Sequence, residues 1–508
     1  ILAQVQLYSR WWWGHSHPRM PWQERKLMAI EQPTNGWEGA NFKPTLSNQV
    51  VSESSDEAYL SSSGSSASSS SRSSNSTGKE GKPKTFLSKW FACKAMGPGL
   101  LVCLADTDFG CLEVAAQSGA RWGYSLLLLQ VVLIPILFLA QELTVRLGVH
   151  TKAGHTACIR KHFGSKWAWF ACILLVFECT CAMMSEMSGV AAVGELWGLN
   201  RDVATGFAAV IIVGVVFSCN YRQIEVFGIT LGLFELTFVL TMVCFHPSPR
   251  DIFSGSHGVL VTSTDSEFIK LISANIGAVV MPWMIYFQQS AVVARGLVTS
   301  EDLAAERTQT LLGSILTQLV MIGALVTLAA AHQTSKDLKS VHDIVNALSP
   351  VLGKRLSMLL LSLGFFGGSL CAAVVVSLAA SWAVSEAMGL DEALSLDVTP
   401  KQAPVFYGCF LMVISVGVLV LMTGVSTVQL SAVVELINGL LLPFAIGFLF
   451  LLATGEALPP EVRVDGLHKA VLFVVFSVCV VISTASALYG LLGENAAKGG
   501  FPTTFGFP

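Results

Sequence analysis

From about residue 94 the chain is a series of apolar runs, each close to the roughly 20 residues a helix needs to cross a bilayer, joined by short polar stretches. The runs fall at 94–118, 122–146, 167–196, 203–219 and 226–245. After a polar stretch at 246–267 they resume at 268–294, 311–332, 356–388, 405–422, 428–454 and 470–492. This pattern predicts about eleven transmembrane helices. Two runs are interrupted halfway. The first is broken where Asp106, Thr107 and Asp108 stand beside Gly110, and the sixth where Pro282 follows Met281. A broken backbone at membrane depth is tolerated only where protein or a wet cavity satisfies its freed amides and carbonyls. Breaks in corresponding places of two halves point to a transporter's substrate site.

Five runs per half is an odd number, so the two halves insert with opposite orientation. The first and sixth helices then become partners about a pseudo-two-fold axis, and the eleventh is an addition. Composition agrees with a membrane protein: of 508 residues 53% are hydrophobic and 13% charged, and the net charge of −3 gives no hint of nucleic acid. The Ser-rich stretch from Ser61 to Ser76 makes residues 1–88 a disordered tail by expectation. Residues 89–495 form the transmembrane domain and 496–508 a short C-terminal tail. Lys79, Lys82, Lys84, Lys89 and Lys94 cluster before the first span and place the N-terminus in the cytoplasm. Arg146, Lys152, Arg160, Lys161 and Lys166 mark the second joint as a cytoplasmic loop, in which His150, His155 and His162 are expected to be solvated. The twelve cysteines lie mostly in apolar runs without CxxC pairs and read as small core residues.

A carboxylate at the depth of Asp108 requires a cation or proton. The surrounding residues resemble a known family. Gly97-Pro-Gly99, then Asp108-Phe-Gly-Cys-Leu-Glu113 and Gln117-Ser-Gly119, are similar to the first span of the NRAMP divalent metal transporters. Gly277-Ala278-Val-Val-Met281-Pro282 matches their sixth-span motif. The resemblance covers roughly residues 96–492 and implies an all-α, LeuT-like five-plus-five fold and metal transport by alternating access, with no enzymatic activity. It also implies a metal shell of Asp108, Cys111, the Ala278 carbonyl, Met281 and, counting back from Leu442-Pro443-Phe444, Glu435. Cys111 stands where the family has Asn, and Trp283 where it has His. Glu435 has a local alternative, pairing with Asn438 or Gln429, and Asp106 is expected to cap a freed amide.

Sulfur from Met281 and Cys111 favours Mn²⁺ or Fe²⁺. Trp283 and the segment to Ser290 are similar to the NRAMP-related magnesium branch, so Mg²⁺ transport is the alternative reading, and a non-transporting membrane metal sensor is the other. An indole cannot relay protons as imidazole does, while Glu113, Glu178 and Glu186 offer a proton path, so coupled and uncoupled transport both stay open. The implied partners are a divalent cation as substrate, protons if transport is coupled, and the lipid bilayer; no cofactor is implied.

Overall fold

Each apolar run becomes helix, and both expected interruptions appear. The computed structural model describes residues 97–255, 266–331, 338, 340–390, 399–424 and 427–498; the expected tail at 1–88 lies outside them, as do the five lysines of the basic cluster. The first span is two half-helices, α1 (Pro98–Ala105) and α2 (Phe109–Trp122). There follow α3 (Leu127–Thr151), α4 (His155–Phe163), α5 (Ser165–Leu196) and α6 (Arg201–Ser218). The fifth span is α7 (Tyr221–Gly232) and α8 (Leu236–Cys244), joined by a 3-10 turn at Leu233–Glu235, and a short α9 (Pro249–Gly255) follows. The sixth span is again split, into α10 (Ser266–Gly277) and α11 (Pro282–Ala294). The chain continues through α12 (Ser300–Ala330), α13 (Val341–Leu352), α14 (Lys354–Met388), α15 (Pro404–Leu421), α16 (Thr427–Thr454) and α17 (Gly466–Lys498). Ten membrane-crossing helices are long and apolar enough among the described residues, and the split first span makes eleven.

Local chemistry sets the ends. Pro98 and Pro282 occupy first-turn positions, where a missing amide costs nothing and the fixed φ suits a helix. Asp108 caps α2 by accepting from the Cys111 amide at 2.8 Å. A capping box between Thr299 and Asp302 starts α12 at Ser300, eleven residues before the apolar run, because the capped first turns are polar. Three further expectations are corrected. The break falls on 106–108 and Gly110 is the second residue of α2. The second joint is not an open loop: α3 carries Arg146 inside it, and α4 buries His155, Thr156, Ala157, Cys158 and Ile159. The last helix runs to Lys498, past the expected boundary at 495.

The central helix is α14, packed along α5 and against α7 and α11; 83% of its apolar window is buried, whereas only 22% of that in α6 is, so α6 is peripheral and faces lipid. The helix α12 lies against α1, α2 and α3, and α10 against α16 and α17. Small residues allow the closest of these approaches. A Cβ at Gly119 would collide with the Leu325 carbonyl of α12.

Candidate metal site

The two breaks meet. Pro282 has no amide to offer the carbonyl four residues earlier, so the Ala278 oxygen is left for another donor. It accepts from Cys111 Sγ at 2.9 Å, which ties the start of α2 to the end of α10. Asp108, Cys111 and Glu435 place one carboxylate or thiol atom each within 4.8 Å of one another, and all three are buried. Glu435 reaches this point from α16, 327 residues along the chain from Asp108. Its approach depends on Gly110: a Cβ there would stand 3.0 Å from Ser185 Oγ and 2.5 Å from Glu435 Oε1. The local pairing weighed for Glu435 does form, since Asn438 Nδ2 donates to its Oε2 at 3.1 Å. Its Oε1 accepts nothing from the described residues.

Met281 caps the N-terminus of α11 in an extended conformation, fully buried, and its Sδ accepts from Trp283 Nε1 at 3.2 Å. Around this centre lie Asp106, Glu113, Glu178, Glu186 and Glu235, each 0% exposed. Glu186 accepts from the Phe109 amide at 3.4 Å, beside the break, and its carboxyl also meets that of Asp108. Glu113 is bonded to Gln117 and Ser431, farther along α2. Glu178 takes a long contact of 3.7 Å from Cys179 Sγ. Glu235 accepts from the Thr107 hydroxyl. Asp106 does not cap an amide as expected, because both its oxygens lack a hydrogen-bond partner among the described residues. No ion pair to any of these seven carboxyls occurs among the described residues. The arrangement is a buried cluster of acid and sulfur with no paired cationic side chain among the described residues.

Sequence reasoning named Glu186 as a proton-path candidate but missed Ser185 beside it, whose Oγ stands against Gly110; the small polar position next to an intramembrane Glu was the available signal. It also misplaced His155, the buried first residue of α4. There Gln289 Nε2 donates to the Ala153 carbonyl at 2.9 Å, so its Oε1 is the acceptor for His155 Nδ1 at 2.7 Å. Burial pushes the His155 imidazole down to about 4.

A family model described as Nramp, natural resistance-associated macrophage protein-like, matches residues 99–488. A divalent metal cation transporter MntH from Brucella suis biovar 1 is 27% identical over 304 residues, 57% of this chain and 66% of that protein. A divalent metal cation transporter MntH 1 from Pseudomonas aeruginosa is 28% identical over 294 residues, 55% of this chain and 65% of that one. The chain thus spans just under two thirds of these curated relatives. Among solved structures, the Eremococcus coleocola manganese transporter bound to an aromatic bis-isothiourea compound superposes with a TM-score of 0.66 at 16% identity, covering 85% of this chain and 92% of that one. At that identity the likeness is one of fold, the LeuT-like arrangement of two inverted five-helix repeats.

Proposed function

The chain belongs to the Nramp family, and on that premise we propose that it carries divalent metal cations across a membrane by alternating access. The observation that carries this reading is the convergence of Asp108, Cys111 and Glu435 within 4.8 Å, buried at the broken first span and, among the described residues, without a paired cationic side chain. Two carboxylates match the charge of a divalent ion. In this reading the Ala278 carbonyl exchanges its bond from Cys111 for the ion, and the Met281 thioether completes the shell. Sulfur donors rank Mn²⁺ and Fe²⁺ ahead of Mg²⁺, which holds its water and prefers oxygen.

Transport then follows from the split helices. The half-helices of spans one and six move with spans two and seven against α5, α6, α14 and α15, opening the site to one side at a time. The membrane potential supplies about 2.3 kcal/mol per elementary charge per 100 mV for inward movement. The contact between the Asp108 and Glu186 carboxyls supports a proton route through Glu186, with Glu178 and Glu113 beyond it, since an arriving cation displaces a proton held by such a pair. In this topology the N-terminus is cytoplasmic and the transport domain runs to the end of the last helix at Lys498.

The test uses the full chain in liposomes loaded with dyes for Mn²⁺ and Mg²⁺. Mn²⁺ entry that millimolar Mg²⁺ barely competes, and that Asp108→Ala removes, supports the reading. Equal Mg²⁺ entry would replace it with the magnesium reading suggested by Trp283, and binding without entry would make the protein a sensor.

A further inference from the structure

Trp283 is the second residue of α11 and is 0% exposed, so its indole N–H has no water to turn to. A buried indole donor needs an acceptor. The acceptor it has among the described residues is the Met281 sulfur, two residues back, at 3.2 Å. This is an unusual choice, because a thioether is a weak acceptor and its side chain, with three rotatable bonds, adopts many arrangements. The two groups sit on the same break: Met281 caps α11, Pro282 fixes φ between them, and Trp283 packs its ring against no solvent. The side chain most able to wander is therefore held by a donor that is itself fixed.

We propose that Trp283 is a positioning residue for metal selectivity: its indole N–H occupies one lone pair of the Met281 sulfur and holds the other toward the ion between the breaks. The inference rests on the transport reading above and adds a residue to it. Orienting the thioether in advance removes the ordering cost from the binding step, and this benefit reaches only those ions that bond well to sulfur. A soft ion such as Cd²⁺ gains from it more than Mn²⁺ does. The Trp at this place is thus part of the sulfur filter, where a side chain lacking a donor would leave the thioether loose.

Initial rates of Cd²⁺ and Mn²⁺ entry, measured for the full chain in liposomes, decide the matter. Trp283→Phe keeps an aromatic ring and deletes the donor. The Cd²⁺ to Mn²⁺ rate ratio is expected to fall about fivefold, the effect of one hydrogen bond. In a Met281→Leu background the same substitution is expected to change the ratio no further. An unchanged ratio in the single variant, or an equal fall without the sulfur, overturns the proposal. If Trp283→Phe does not transport, competition of Cd²⁺ against Mn²⁺ for the purified variant reads the same ratio. Asp108→Ala serves as the separate control: flux that survives it defeats the transport site, whereas flux lost on it with a ratio indifferent to Trp283 defeats this inference alone.

Discussion

Buried acid occurs in two settings in this protein. Glu142 on α3 receives Arg146 Nη2 at 2.9 Å and Arg307 Nε from α12 at 2.6 Å, and Arg146 also reaches the Val462 carbonyl. Asp108 and Glu435 have no guanidinium or ammonium partner among the described residues. Removing a carboxylate from water is costly in either place, and the cost must be offset by opposite charge. At Glu142 the chain supplies that charge itself, which fixes α3 to α12. Between the breaks no described residue supplies it, and in the proposed transport cycle the offset falls to an ion that arrives and leaves. Under the proposed function, Glu142 with its built-in cations is a structural acid, and Asp108 and Glu435 without one are transport acids.

The largest effect is expected at the self-compensated cluster. Glu142→Gln leaves Arg146 and Arg307 facing each other and should destabilise the protein by about 3–5 kcal/mol, seen as a large fall in Tm in detergent. Asp108→Asn should show no such fall in metal-free protein, and a comparable loss for both would erase the distinction between the settings. A buried base follows the same logic as a buried acid. His155 is neutral in the folded protein, its ring held down to about 4 against an ordinary 6.5. The unfolded chain therefore binds the proton first. Its contribution is fully present above pH 6.5 and is lost as pH falls through the window from 6.5 to about 4, amounting to about 3 kcal/mol. His155→Gln should flatten the Tm profile across that window relative to the unmodified chain.

Smaller effects sharpen the comparison within the uncompensated site. Glu435→Gln removes one of the two carboxylates offered to the ion, so the stability of metal-free protein should change little while the Mn²⁺-induced rise in Tm shrinks. Cys111→Asn replaces a sulfur with an amide oxygen, and entry should persist with the Cd²⁺ to Mn²⁺ preference lowered about threefold. Uptake rates for the two ions check this.

Both breaks were legible because their causes are local: Pro282 cannot donate an amide, and an acidic run at 106–108 cannot continue a lipid-facing helix. Span order was legible for the same reason, as apolar length is written in consecutive residues. What escaped was made by distant residues. Arg146 looked like a cytoplasmic loop charge until Glu142, one turn earlier on α3, was seen to hold it together with Arg307 of α12. His155 looked solvated because basic residues surround it in sequence, yet its partner Gln289 lies 134 positions away. Glu435 could be placed only by counting from Pro443, and nothing local showed that Gly110 makes room for it. The early start of α12 was hidden because its first turns are polar and rely on the Thr299 cap.

The central claim is that the uncompensated acid between the breaks holds a divalent ion. Its most direct test is titration of the purified full chain with Mn²⁺, with bound metal followed by electron paramagnetic resonance. The account predicts one tight site per chain that Asp108→Ala abolishes and Glu142→Asp leaves in place. A site of unchanged affinity in Asp108→Ala would contradict it.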